Sequence, residues 1–461
     1  MKKLDFLLMI LSFLTLIILS CNSDVNNQRN SEIPPWEYLF DGETLNGWNI
    51  KNGKAIYSVE HNEIVGTASL NTPNTFLCTD NDFSDFILEY EFKLDGDLNS
   101  GVQIRSNSFA EYGNGKVHGY QIEIDPSDRK WTGGIYDEAR RGWLYPVDSA
   151  GTVSKNAYQH LKWNKVRVEA IGDTIKTWVN DIPTAYLLDD RTSKGFIGLQ
   201  VHGIGNDSLK NGITVRWKNI RILTKDISKY SKVSTLPLLD KYNKLTHSER
   251  DWGWKLLWDG KTTDGWRGAK IDHFPTFGWE IKDGILTIHE SGGDESEAAG
   301  DIVTIDKYSD FELSVDFRIT EGANSGIKYF VDTELNKEKG SAIGLEFQIL
   351  DDERHPDAKL GNHEGSRTLS SLYDLIKAEN KHPKPIGQWN NARIISKGNH
   401  VEHWLNDRKV LEYERKSEAY RKLVSESKYV KWEGFGGLGE GQILLQDHGN
   451  TVSFRNIKIK L

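Results

Sequence analysis

Gly119-Tyr120-Gln121-Ile122-Glu123-Ile124-Asp125-Pro126 alternates polar and apolar residues without a break. On a strand, residues two apart face the same way, so Gln121, Glu123 and Asp125 are predicted on one face while Tyr120, Ile122 and Ile124 fill the other. A second stretch, Gly344-Leu345-Glu346-Phe347-Gln348-Ile349-Leu350-Asp351-Asp352, has the same character, with Glu346 and Gln348 together and the next acid displaced to Asp351. Glu and Gln have changed places between the two.

Working outward, the same landmarks recur in the same order, which identifies a tandem duplication. Phe40-Asp41-Gly42 with Gly47-Trp48 returns as Trp258-Asp259-Gly260 with Gly265-Trp266. Asn99-Ser100-Gly101-Val102 returns as Asn324-Ser325-Gly326-Ile327, Asn180-Asp181 as Asn406-Asp407, and Gln200 with His202 as Gln446 with His448. Period-2 alternation dominates each half, and Asp283-Gly284 between Trp279-Ile281 and Ile285-Thr287 is suited to a tight hairpin. Long helical periodicity is nearly absent, apart from possible helical turns at Leu372 to Glu379 and Glu418 to Val424. The predicted fold class is all-β, with two packed sheets per half: residues 36–225 and 251–461 as domains, and the polar, Lys- and Ser-rich 226–250 as the linker between separately packed units.

The N-terminus begins Met1-Lys2-Lys3, runs apolar from Phe6 to Leu19 and turns polar after Ser20-Cys21. This is expected to be an export signal over 1–20. The apolar run is shorter than the roughly 20 residues a membrane span needs. Ser20-Cys21 resembles a lipoprotein cleavage box, so Cys21 is the expected lipid anchor, 21–35 a tether, and the cell envelope the expected location, on the periplasmic or the cell-surface side. With 58 basic against 67 acidic residues the net charge is -9, and no basic stripe is present, which argues against nucleic acid. The remaining cysteine, Cys78, has no intrachain partner after Cys21 is acylated and reads as a buried small hydrophobe.

Several residues could carry chemistry. Glu346 and Glu123 are candidate bases, with Gln348 and Asp351 beside the first and Gln121 and Asp125 beside the second. Gln103 and Arg105 are predicted to share a strand face, with Lys328 and Phe330 at those positions in the second half. A cation there could neutralise a developing oxyanion. His202 and His448 recur at corresponding places. A long insert after Gln348 offers His355, His363 and Arg367, and long inserts at a sheet end often complete a site. Its spacing fits no standard zinc pattern, so a divalent metal stays open and no other cofactor is indicated. Trp131, Trp143 and Trp432 could be stacking platforms for sugar, and Gln446 a polar contact.

Taken together these residues resemble the 3-keto-disaccharide hydrolase domain family, once per half, which has a concanavalin A-like jelly-roll fold. The carriers include Asn99-Ser100-Gly101 with Arg105, Gly119 to Asp125 and Trp131 to Asp137, then Asn324-Ser325-Gly326, Glu346 to Asp351, Leu372-Tyr373-Asp374 and Phe454-Arg455-Asn456-Ile457. Phe330 departs from the Arg common in the family. The resemblance implies cleavage of a glycoside whose C3 hydroxyl has been oxidised to a ketone. A carboxylate such as Glu346 or Glu123 would remove the acidified C2 hydrogen, Lys328, Arg105 or a metal would stabilise the enolate, and His448 or His355 would protonate the leaving oxygen. Two alternatives stay open: a two-carboxylate glycosidase, and a lectin-like protein that binds carbohydrate without cleaving it.

Overall fold

The computed structural model describes residues 34–292 and 299–461. The expected signal over 1–20, Cys21 and the tether up to residue 33 lie outside the described residues. Among those described, no helix is long and apolar enough to cross a membrane. Residues 37–461 form one compact unit.

That unit is built from four antiparallel-dominated sheets, two in each half as the alternation predicts, giving the tandem jelly-roll sandwiches that the resemblance implies. Within the first half, the seven-stranded sheet is ordered Gly142–Tyr145, Ile135–Glu138, His118–Ile124, Ser100–Asn107, Phe196–Val201, Thr75–Thr79, Trp48–Asn52. In the second half, Ile343–Leu350, Asn324–Asp332, Gln442–Leu445, Ile302–Thr304 and Trp266–Gly268 repeat five of these strands. The inward residues Tyr120, Ile122 and Ile124, and their counterparts Leu345, Phe347 and Ile349, are all buried in their cores. Burial of such side chains contributes about 1.5–3 kcal/mol each and fixes which face the polar alternates must take.

The recurring short motifs turn out to be turn chemistry. Asp41 Oδ1 accepts from Glu43 N and Thr44 N, as Asp259 Oδ1 does from Lys261 N and Thr262 N. The indole of Trp48 donates to Leu39 O at 2.8 Å, and that of Trp266 to Leu257 O at 2.7 Å. Asp283 and Gly284, at φ 52° and 73°, close the expected two-residue hairpin between Trp279–Lys282 and Ile285–Ile288. Cys78 is buried, and burial pushes its thiol up to about 12.

Three expectations need correction. Glu418–Ser425 is a helix, but Leu372 to Glu379 is not; Leu372 makes isolated bridges to Phe347 and Ile376 where the first half has a full strand. The expected linker, 226–250, does not simply cross between separate units but packs on both halves. Leu239–Asp240 pairs with the strand Ile182–Leu188, Asn243 exchanges bonds with Asn456, and Thr246 caps a short helix, His247–Asp251, while donating to Arg141 O. Nor do the halves pack separately. Arg140 and Arg191 from the first half both bind Asp407 of the second, at 3.1 and 2.5 Å, and Arg455 pairs with Asp190 at 2.5 Å. Burial alone would raise the Asp407 carboxyl, but Arg191 and Arg140 outweigh it and hold it well below its usual range.

Candidate active site

The motif Asn-Ser-Gly builds the floor of a cleft in each half. Ser325 Oγ donates to Gln446 O at 2.8 Å and Ser100 Oγ to Gln200 O at 2.7 Å, stitching each motif strand to its neighbour. The glycine gives room. A Cβ on Gly326 would meet Glu346 Oε1 at 2.2 Å, and one on Gly101 would meet Gln121 Cδ at 2.5 Å, so only glycine lets the Glu346 and Gln121 side chains, diagonal to it on the neighbouring strand, lie across the sheet. The asparagine reaches the floor: Asn324 accepts from Gln348 Nε2 at 3.4 Å and meets His448 Nε2 at 3.3 Å, while Asn99 donates to Glu123 Oε1 at 2.6 Å.

The second half holds a cleft of about 430 Å³ whose lining includes Asn324, Lys328, Glu346, Gln348, Tyr373, Trp432, Gln446 and His448. Lys328 and Glu346 occupy directly paired strand positions, both nearly fully buried, with the ammonium 3.7 Å from Glu346 Oε2. Lys328 also donates to Ser341 Oγ and to Ala342 O, the latter at 3.2 Å, so its head is fixed at the floor. His448 is backed by the ring of His355, 5.9 Å away and nearly perpendicular; burial and the neighbouring His448 both lower the His355 pKa.

The first half holds a smaller cleft of about 260 Å³, lined by Gln121, Glu123, Tyr136, Trp143, Gln200 and His202 among others. Burial pushes Glu123 up to about 7 and lowers His202. Gln103 lies beneath, donating to Gln121 Oε1 at 2.7 Å.

Other sequence candidates are placed elsewhere. Arg105 does not share a face with Gln103: a bulge after Ile104, with Arg105 at φ 45°, turns its guanidinium away to Ser84 O, Gly172 O and Asp85. Phe330 has the same twist, at φ 50°, and takes Arg415 over its ring at 3.5 Å. Arg367 is held by Asp357 and Asp374 at 2.7 and 2.6 Å, which makes it a clamp on the insert. His363 meets Leu423 O at 3.4 Å. Asp351 takes Gly322 N and Arg354, and Asp125 takes Ser127 N and Arg129; both cap the turn after their strand. The Trp131 indole bonds Asp148 and packs edge-on against Trp143, so Trp143 is the ring on the cleft.

Tyr373 and Tyr136 were missed as site residues. Each lies in the Tyr-Asp pair that recurs as Tyr136-Asp137 and Tyr373-Asp374, and that recurrence was the available signal. Tyr373 N donates to Glu346 O at 3.1 Å, and its phenol donates to Asp357 Oδ2 at 2.8 Å. Burial, ahead of Asp357 and Glu346, raises its pKa. As for a metal, the cleft lining offers Glu338, Glu346 and His448, but among the described residues their ligand atoms do not come together closely enough to hold an ion. The His400, Glu402 and Glu412 group lies on the outer sheet, where Lys409 already pairs with both acids.

Both halves match one family, described as the 3-keto-alpha-glucoside-1,2-lyase-like domain, over residues 35–223 and 253–460. The chain belongs to that family. A 3-keto-disaccharide hydrolase of Bacteroides thetaiotaomicron is 38% identical over 229 residues, which cover 45% of this chain and 78% of that protein. Among solved structures, one from Parabacteroides distasonis is 29% identical, with a TM-score of 0.42, and covers 48% of this chain and 99% of that one. A carbohydrate binding module from Bacillus subtilis is 19% identical, with a TM-score of 0.27, over 41% of this chain and 100% of that one. In this 3-keto-alpha-glucoside-1,2-lyase-like pair, Glu346 and Lys328 occur in one domain only; the other has Gln121 and Gln103 there.

Proposed function

We propose that the second cleft cleaves 3-keto-glycosides, a 3-keto-disaccharide among them, by proton abstraction and elimination. The observation that carries this is the buried Lys328–Glu346 pair at 3.7 Å on the floor of a sugar-sized cleft, beside His448.

The C3 ketone acidifies the C2 hydrogen, so a single carboxylate suffices as base where an ordinary glycosidase needs two carboxyl groups flanking the bond. Glu346 takes the C2 proton, and the C2–H electron pair becomes the enolate whose oxygen lies against the Lys328 ammonium. The enolate then collapses to form the C1–C2 double bond and expels the C1 substituent, whose oxygen receives a proton from His448. Water adds across that double bond, hydroxyl to C1 and proton to C2, and the net result is hydrolysis. Tyr373 and Trp432 form walls on which the sugar ring packs. His355 and Gln348 act through His448 and Asn324 as positioning residues. We also propose, on the apolar run from Phe6 to Leu19 followed by Ser20-Cys21, that Cys21 anchors the mature chain to the cell envelope.

Product analysis with a 3-keto-glucoside and the matching unoxidised glucoside tests the assignment. Release of the aglycone from the keto sugar alone is expected; equal release from both would indicate a conventional glycosidase, and release from neither would remove the enzymatic reading.

A further inference from the structure

The first sandwich keeps the floor of the second but not its reactive pair. Where the second half has Lys328 opposite Glu346, the first has Gln103 opposite Gln121, joined amide to amide at 2.7 Å. The floor carboxyl of this cleft, Glu123, stands two residues further along the strand, a displacement of about 6–7 Å. Both of its oxygens already accept amide bonds, from Asn99 at 2.6 Å and Gln121 at 2.9 Å. The cationic side chain on this cleft is Arg129, which pairs with Asp125 at 3.2 Å and lies over the rings of Trp131 and Trp143 at 5.0 and 5.6 Å. An enolate formed over this floor would face amides where the second cleft offers an ammonium.

What remains suits binding. Trp143 presents ring surface, held edge-on by Trp131 at 4.6 Å and Tyr136 at 5.2 Å. Opposite it stand the amides of Asn74, Asn99, Gln121 and Gln200, which can donate and accept at once, as vicinal hydroxyls require. Gln200 supplies a specific pointer to a ligand. It is fully buried, its Nε2 donates to Gln121 Oε1 at 2.9 Å, and its Oε1 meets no donor among the described residues. A buried acceptor left unpaired costs about 1–3 kcal/mol, which a ligand hydroxyl would recover. The 260 Å³ volume is at the small end of ligand sites and fits one sugar ring.

We propose that the first cleft is a separate, non-catalytic site for one uncharged pyranoside, stacked on Trp143 and bonded through its hydroxyls to Asn99, Gln121, Glu123 and Gln200. It rests on the function proposed for the second cleft only for the contrast between the two floors. A uronate is disfavoured because Glu123 and Glu138 would face its carboxylate, while Arg129 on the cleft is already paired with Asp125. Covalent linkage to the second half then keeps a bound sugar at raised effective concentration near that half.

Calorimetric titration of the full chain with methyl glucoside, galactoside and mannoside, and with methyl glucuronide, tests the proposal. At least one neutral pyranoside is expected to bind, with affinity falling at least tenfold in Trp143→Ala and in Gln200→Leu, and unchanged within twofold in Trp432→Ala of the second cleft. Gln200→Leu nearly conserves volume, so it keeps the test open if Trp143→Ala fails to fold. Failure of every neutral pyranoside to bind, tighter binding of the glucuronide, or a loss confined to Trp432→Ala would each overturn the proposal. So would turnover of a 3-keto-glucoside by Glu346→Gln that is abolished on adding Glu123→Gln, since the first cleft would then be catalytic. A chain that binds a neutral pyranoside through Trp143 yet never cleaves a 3-keto-glucoside would sink the function proposed for the second cleft and leave this site standing.

Discussion

The Lys328 ammonium lies 3.7 Å from Glu346 Oε2 on directly paired residues of neighbouring strands, a spot where Gln103 and Gln121 meet in the first half. At an effective dielectric of about 20, two such charges attract by roughly 4 kcal/mol, which helps to offset the cost of burying both. In the proposed reaction the pair is base and enolate stabiliser. Glu346→Gln is therefore expected to lower kcat on a 3-keto-glucoside by about a thousandfold or more, with KM within a few-fold, and Lys328→Gln by about a hundredfold or more. Steady-state kinetics reads both; a change confined to KM in either variant contradicts the assigned role.

Glu123 and His403 make opposite contributions to acid stability. Burial pushes Glu123 up to about 7 from 4.5, so the folded state holds this proton more tightly than the unfolded chain, and stability is lost as pH rises from about 4.5 through 7. Removing the ionisable group should reverse this: Glu123→Gln is expected to stabilise the protein at pH 8 by up to about 3 kcal/mol, with the gain vanishing below about pH 4.5. Denaturant unfolding at the two pH values measures it, and an equal effect at both would contradict the burial argument.

His403 is buried in the second core, where its Nε2 bonds the Tyr329 hydroxyl at 2.7 Å and its Nδ1 bonds Ser370 O at 2.9 Å. With Nδ1 as donor, Nε2 must accept, so the ring is neutral, and burial lowers its pKa to about 4. Its contribution to stability is complete above about pH 6.5 and is lost as pH falls through 4, by up to about 3 kcal/mol. In wild type this slope opposes that of Glu123; in Glu123→Gln stability should climb more steeply between pH 4 and 6.5, with His118, His202 and His355, which burial also lowers, adding to the His403 slope. A flat profile there, or titration of the His403 ring itself near 6.5 by NMR, would count against it.

Asp407 joins the halves through Arg140 and Arg191, whereas its counterpart Asp181 meets Lys232 in an exposed pair. Breaking a buried ion pair leaves a charge without its partner. Asp407→Asn is expected to cost about 3 kcal/mol in equilibrium unfolding and Asp181→Asn less than about 1 kcal/mol. Similar costs for the two would show that the buried arrangement does not bind the halves together.

The sequence made the strand faces legible because alternation in Gly119 to Asp125 and Gly344 to Leu350 is a direct record of the pleat. It also paired the two halves residue by residue, so Gln121 against Glu346 and Gln103 against Lys328 were visible as exchanges. Arg105 was misplaced because a bulge is a backbone event: the φ of 45° that turns it out of register leaves no mark on the alternation. Arg367 and His363 look like site residues by type, yet ion pairs and a carbonyl contact absorb them within the insert. Tyr373 sits in a segment whose strand has dissolved into turns, so period-2 reading passes over it, and Asp407 looks like an ordinary hairpin turn until the other half supplies its arginines.

The most direct test of the central claim follows the C2 hydrogen. Reaction of the full chain with a 3-keto-glucoside bearing deuterium at C2, against the protiated sugar, is predicted to show a primary isotope effect on kcat/KM and washout of the label into H₂O, both absent in Glu346→Gln. Aglycone release with the C2 deuterium fully retained and no isotope effect would contradict proton abstraction, and with it the role given to Glu346 and Lys328.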